Sequence, residues 1–279
     1  MRRALRRVGT AVAILGTSLL LGEVVLRLMR PADRPIPRPS VAPTGTAPPA
    51  RSLHEVVDRL RAAGAADPDV GSHQDLLDAV VAHGFDDDGA IRASNVPEIE
   101  GAVRTRVGAG FPWATVASYR STRRDAALVS AVHRAYHRFR AWKVDDAVSG
   151  TVRPDGSVEA RVDSTPPFVG PVRYTFEARP VRREGAWVTV QSMLGARERK
   201  GVLESRGIVI AFPVGAGVDV VEAACTVVDK EIPHSAFARK AIEAFSLRDI
   251  QRRLSSLKDL TERLAGPDVA QLPFLPGDR

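Results

Sequence analysis

His54-Glu55-Val56-Val57-Asp58 stands one residue away from a zinc-hydrolase helix. Two histidines one turn apart let both imidazoles reach one zinc, and Asp58 occupies the place of the second. The segment reads as an exposed helix start. Asp86, Asp87, Asp88, Gly89 and Ile91 resemble part of a calcium loop. Counting Asp86 as its third position puts Asn95 at the twelfth, where a bidentate carboxylate is required. An acidic turn after a helix is the better reading. His133 and His137 are four apart, so on a helix they share a face that could take a metal. Arg134, Arg138 and Arg140 crowd that face with positive charge, which opposes a cation and predicts a solvated surface. Cys225 sits in an apolar run and reads as packing rather than as a nucleophile. No nucleophile elbow, phosphate-binding glycine loop or cysteine pair occurs. No metal or cofactor is expected.

The elements that position these residues begin with charge. The 279 residues hold 40 Lys and Arg against 33 Asp and Glu, a net charge of +7, with 44% hydrophobic and 5% aromatic residues. That composition fits a globular chain. Residues 1–50 account for +6 of the net charge through eight arginines. The rest is nearly neutral, so the basicity does not point to a nucleic-acid partner. A lone Cys225 excludes an internal disulfide framework.

Arg2, Arg3, Arg6 and Arg7 precede an apolar run from Val8 to Val25. Eighteen residues of helix span about 27 Å, close to a hydrocarbon core. No small-x-small cleavage site is clear between Gly22 and Met29, so residues 1–30 are expected to be an uncleaved signal anchor, with a cleaved signal and a peripheral segment as the alternatives. Four further arginines follow the run, which leaves the orientation balanced. The short leading flank favours a cytoplasmic amino terminus and an extracytoplasmic domain on a single-pass cell-membrane protein. Residues 31–50 carry seven prolines and form an expected extended linker.

Residues 51–100 carry a charge of −7 and residues 101–143 a charge of +8. The simplest expectation is that the acidic segment lies against the basic one; a basic face toward anionic lipid is the alternative. Within 51–100, Leu53, Val56, Val57 and Leu60 share one helix face, as do Leu76, Leu77, Val80 and Val81. Val103, Thr105 and Val107 alternate with arginines and predict a strand. A short helix is expected after Pro112, and a longer one from Asp125 to Trp142. Six strands follow over about 144–152, 157–165, 171–179, 186–194, 203–212 and 217–228, separated by turn residues such as Pro154-Asp155-Gly156. Tyr174, Phe176 and Ala178 alternate with Thr175, Glu177 and Arg179, as in an antiparallel sheet with one wet face. A final helix from Pro233 to about Leu264 presents Leu247, Ile250, Leu254, Leu257 and Leu264. Gly266-Pro267 stops it.

This order resembles the START-like superfamily of lipid-transfer and polyketide-cyclase-type domains over about residues 101–264. The resemblance is carried by the last strand, the Ile232-Pro233 junction, Leu247-Arg248-Asp249-Ile250, the Tyr174-Thr175-Phe176 strand and the Trp187 hairpin. It implies an α+β helix-grip fold: a seven-stranded curved antiparallel sheet gripping the long carboxy-terminal helix, with an apolar cavity between them. A small acidic helical segment (51–100) precedes the domain (101–265), and a tail (266–279) follows. The cavity candidates are then Tyr174, Phe176, Val188, Val190, Ile208, Ile210, Leu247, Ile250 and Leu254, with Arg206 and Glu222 as polar residues that could project into it. The leading expectation is membrane-tethered, non-catalytic binding of a lipid or other hydrophobic small molecule. A cyclase- or aromatase-like enzyme and an interaction module with a filled core are the alternatives.

Overall fold

The computed structural model describes residues 52–63, 71–83, 90–95, 111–135, 147–165, 171–183, 185–196, 202–228 and 236–274. The expected anchor, linker and acidic turn at Asp86 lie outside the described residues, as do the strand at 103–107, His137 and the last five residues of the tail. Among the described residues, no helix is long and apolar enough to cross a membrane.

The acidic segment supplies α1 (Leu53–Ala63) and α2 (Gln74–His83). Ser52 starts α1 by accepting a hydrogen bond from the Glu55 amide at 3.1 Å, which satisfies one of the donors a helix start leaves open. Leu53, Val56, Val57 and Leu60 are buried as the spacing predicts, and so are Leu76, Leu77 and Val80. His54 is exposed, in keeping with an unremarkable helix start.

Among the described residues, eight strands form one sheet in the order β1-β2-β8-β7-β6-β5-β4-β3, every neighbouring pair antiparallel. They are β1 (Arg92–Asn95), β2 (Phe111–Ser121), β3 (Ala147–Val152), β4 (Val158–Ser164), β5 (Val172–Arg183), β6 (Ala186–Ala196), β7 (Val202–Val214) and β8 (Gly217–Val228). The six strands expected between 144 and 228 are all present. Two features differ from expectation. β1 adds a strand inside the segment read as helical; four mostly polar residues are too short to show a period. Pro112 lies in β2, not before a helix. From Ala114 to Tyr119 both faces of β2 are buried, so its sequence shows no alternation to betray a strand.

Between β2 and β3 lies α3 (Ala126–Arg134), capped by Asp125, whose side chain accepts from the Leu128 amide. The helix was expected to reach Trp142; beyond Ala135 the chain leaves the described residues. The last long helix, α4 (Ala236–Arg263), is 28 residues long. Its carboxy-terminal carbonyls are held by Arg123, which donates to Thr261 O at 2.9 Å and to Leu264 O. A cation there also complements the helix dipole. Gly266 turns the chain at φ 64°, and Pro267 opens the short α5 (Pro267–Ala270).

The result is three layers. α1 and α2 cover one face of β2, β7 and β8, while α3 and α4 lie on the opposite, gripped face. The acidic segment is fastened through apolar contacts and through Asp75, which pairs with Arg206 of β7. Arg120 of the basic stretch pairs with Asp219 on the neighbouring strand. The −7 segment does lie against the +8 segment, since β1 pairs with β2 and His83 reaches Ser118, but the ion pairs of Asp75 and Arg120 run to other strands.

Candidate functional site

Strand parity decides which side chains meet α4. The cross-strand register links Ala117 of β2 to Glu222 of β8, Glu222 to Val209 of β7, and Val209 to Thr189 of β6. These four form a row on the gripped face. Every second residue along each strand joins them, because side chains alternate across a sheet. Tyr174 and Phe176 belong to this face, with ring centroids 6.2 Å apart. Phe176, Leu254 and Leu257 are buried together, and Tyr174, Trp187 and Ile250 pack half-buried against them. Leu247 is half-buried one turn further toward the start of α4.

Five of the eleven cavity candidates are elsewhere. Val188, Val190, Ile208 and Ile210 point through the other face and pack under Leu53, Val56, Leu76 and Leu77. Arg206 is on that face too: it donates to Asp75 Oδ1 at 2.7 Å, to Asp75 Oδ2, to Ser72 O at 2.7 Å and to Glu204 at 2.8 Å. Burial works against its charge, but Asp75 outweighs that and holds the guanidinium more firmly protonated. Arg206 is thus an anchor for α2. It does not line the gripped interior. Both faces of β6, β7 and β8 are buried, so the sequence is apolar at either parity and cannot reveal which residues face α4. Cys225 is buried beside Arg206, and burial pushes its thiol up to about 12, as suits packing.

Glu222 does face the grip. It forms a two-pronged pair with Arg253 of α4, Nη1 to Oε2 at 3.1 Å and Nη2 to Oε1. The pair ties the middle of the sheet to the middle of the helix. Close to it, electrostatically coupled to both charges, is a second pair. Tyr119 Oη of β2 lies 2.7 Å from His133 Nε2 of α3. Burial lowers His133 to about 4, with Glu222 opposing and Arg253 and Arg134 reinforcing the shift. Burial also raises the Tyr119 phenol, aided by Glu222 and Glu262. Both groups are therefore neutral near pH 7. Buried polar atoms on this face with no hydrogen-bond partner among the described residues include His133 Nδ1 and Thr189 Oγ1, with Asn95 Oδ1 at the β1 edge. Leaving such a group unpaired is costly, so each calls for an explanation.

Tyr119, His133, Thr189 and Arg253 carry the polar character of the interior, and sequence reasoning missed all four as site residues. His133 was read onto a solvated face because arginines flank it. Every residue of α3 is buried, so the helix has no polar stripe to orient the reading. Among the described residues no group of three or more metal-ligating side chains is assembled.

No family model and no curated protein sequence matches the chain. Solved structures do resemble it. Human StAR-related lipid transfer protein 5 is 10% identical, with a TM-score of 0.49 over 76% of this chain and 99% of that one. The STAR-related lipid transfer protein fragment from Xanthomonas axonopodis is 17% identical, with a TM-score of 0.44 over 56% and 96%. Zhui aromatase/cyclase from Streptomyces sp. R1128 is 17% identical, with a TM-score of 0.43 over 55% and 94%. The α+β helix-grip architecture expected from the sequence is present, an antiparallel sheet with a long helix across one face.

Proposed function

We propose that this protein binds an apolar small molecule, such as a lipid, between the gripped face of the sheet and α4, without transforming it. The observation that carries the reading is that His133 Nδ1 and Thr189 Oγ1 are buried without a hydrogen-bond partner among the described residues, in an interior whose walls are mostly aliphatic and aromatic side chains. An apolar wall with a few placed polar groups is how small-molecule sites are built. The covering of α4 supports the same location. Leu254 and Leu257 are fully buried, whereas Leu247, Ile250 and Phe245 toward its amino-terminal half are only half-buried and Phe237 is exposed. A ligand would lie among Tyr174, Phe176, Ile250 and Leu254, with Glu222 and Arg253 behind it.

A cyclase-like enzyme is the second reading, favoured by the Tyr119–His133 hydrogen bond, since a phenol and an imidazole can move a proton between them. Their acidities argue against it. General acid–base catalysis works best with a pKa near the working pH, and burial moves His133 down and Tyr119 up, both away from neutrality. The arginine-flanked apolar run at 8–25 and the proline-rich stretch after it complete the proposal: a single-pass anchor and spacer holding the binding domain on the extracytoplasmic side of the cell membrane. Denaturing mass spectrometry of material co-purifying with the protein tests the binding claim. A small apolar molecule in near-stoichiometric amount is expected; a protein free of any such molecule, prepared without ligand-stripping detergent, counts against it.

A further inference from the structure

Two facts fix the hydrogen on His133. Its Nε2 is the only hydrogen-bond partner of the Tyr119 hydroxyl among the described residues, and both side chains are buried. If the phenol donates to Nε2, the ring proton sits on Nδ1 and one donor is left unpaired. If Nε2 donates instead, both the phenol O–H and the Nδ1 lone pair are orphaned. The first arrangement satisfies more groups and is the favoured one. His133 then presents an N–H, not a lone pair, on a side chain that is 2% exposed, with no acceptor among the described residues.

The charges around it narrow what that N–H would receive. Glu222 is close enough to act on both His133 and Tyr119, and Arg253 is already engaged by Glu222 through both of its terminal nitrogens. A carboxylate brought here would have to shed its water in a dry interior, with Glu222 repelling it and Arg253 and Arg134 attracting it, and stripping water from a charge costs more than one hydrogen bond returns. A neutral oxygen meets no such penalty. α3 packs over β6 and β7, the strands carrying Thr189 and Val209, so the unpartnered Thr189 hydroxyl lies on the same side of the sheet as His133.

We propose that His133 Nδ1–H is the polar recognition point of the gripped interior, donating to a neutral acceptor oxygen, a carbonyl or hydroxyl, on an otherwise apolar ligand. The assignment rests on the binding function proposed above, and it adds the ligand's chemical class and the atom that reads it.

The test uses the full chain and matched probes differing in one oxygen: hexadecane against its methyl ketone, dihydroanthracene against anthrone, and hexadecanoate as the charged competitor. One hydrogen bond should favour the ketone of a pair over its hydrocarbon by about five- to tenfold, with hexadecanoate weaker than the ketone. His133→Phe should erase the preference while still binding the hydrocarbon. In the unmodified protein labelled with nitrogen-15 histidine, the ketone should move the His133 Nδ1–H signal and leave the proton on Nδ1, a readout that does not depend on any variant folding. Equal affinity for hydrocarbon and ketone, with an unmoved Nδ1–H signal, overturns the assignment and leaves ligand binding standing; a water then serves His133. Tightest binding of hexadecanoate overturns the neutral-oxygen class. Binding of neither pair overturns the binding function itself, and this assignment with it.

Discussion

At the level of single residues, the interior is organised by two buried pairs, and each makes a measurable statement. His133 has a folded-state value near 4 against an ordinary 6.5. Between those values the unfolded chain binds more protons than the folded one. The stabilising contribution of the neutral imidazole is therefore complete above about pH 6.5 and lost as pH falls toward 4, on the order of 3 kcal/mol in all. Denaturant titrations at several pH values should show this loss in the parent and a flatter profile in His133→Phe; parallel profiles would mean the imidazole is not buried in its neutral form. Glu222 and Arg253 behave differently. Removing one partner strands a buried charge, so Arg253→Met should cost about 3–5 kcal/mol, while Arg253→Met combined with Glu222→Met should recover much of that loss. A double variant no better than the single would contradict the coupling. The sequence points to Glu222 as a polar residue that could project into the interior, as it does, but nothing in its spacing pairs it with Arg253 or Tyr119 with His133.

Among the secondary-structure elements, the turn residues and alternation from 144 to 228 located six strands, and the leucine spacing located α1, α2 and α4. What stayed hidden has one physical cause. A strand buried on both faces has no period, which concealed β2 and scrambled the faces of β6, β7 and β8. The acidic segment is the element that buries the second face, and it bonds there through more than apolar contact. His73 Nε2 lies 3.1 Å from Gln191 O, and His83 bridges Ser94 and Ser118 at 2.8 and 3.2 Å. Deleting 51–100 should therefore uncover Val188, Val190, Ile208 and Ile210, giving an aggregating protein that binds hydrophobic dye. Leu77→Ala, at a fully buried position of α2, should cost about 2–5 kcal/mol in a denaturant titration. A soluble, monomeric deletion with an unchanged melting temperature would show that α1 and α2 are not part of the core.

For the whole molecule, residues 1–50 are proposed to deliver the domain to a membrane and to contribute nothing to its core. Removing them should yield a soluble chain whose circular dichroism retains the sheet signal; loss of that signal would move the boundary. The central claim is that the space between the sheet and α4 is a ligand site, and Phe176→Trp addresses it most directly. Phe176 lies on the gripped face, in the same buried cluster as Leu254 and across from Met193, so the larger ring adds bulk where a ligand chain would run. Melting temperature and bound small molecule, measured together on parent and variant, give the decisive comparison. The ligand-site account predicts an apolar molecule bound to the parent, and a variant that keeps its melting temperature in ligand-free form but retains less of that molecule. A parent with no bound molecule, and a variant destabilised by about 1–3 kcal/mol through overpacking, would contradict it and leave a solid core.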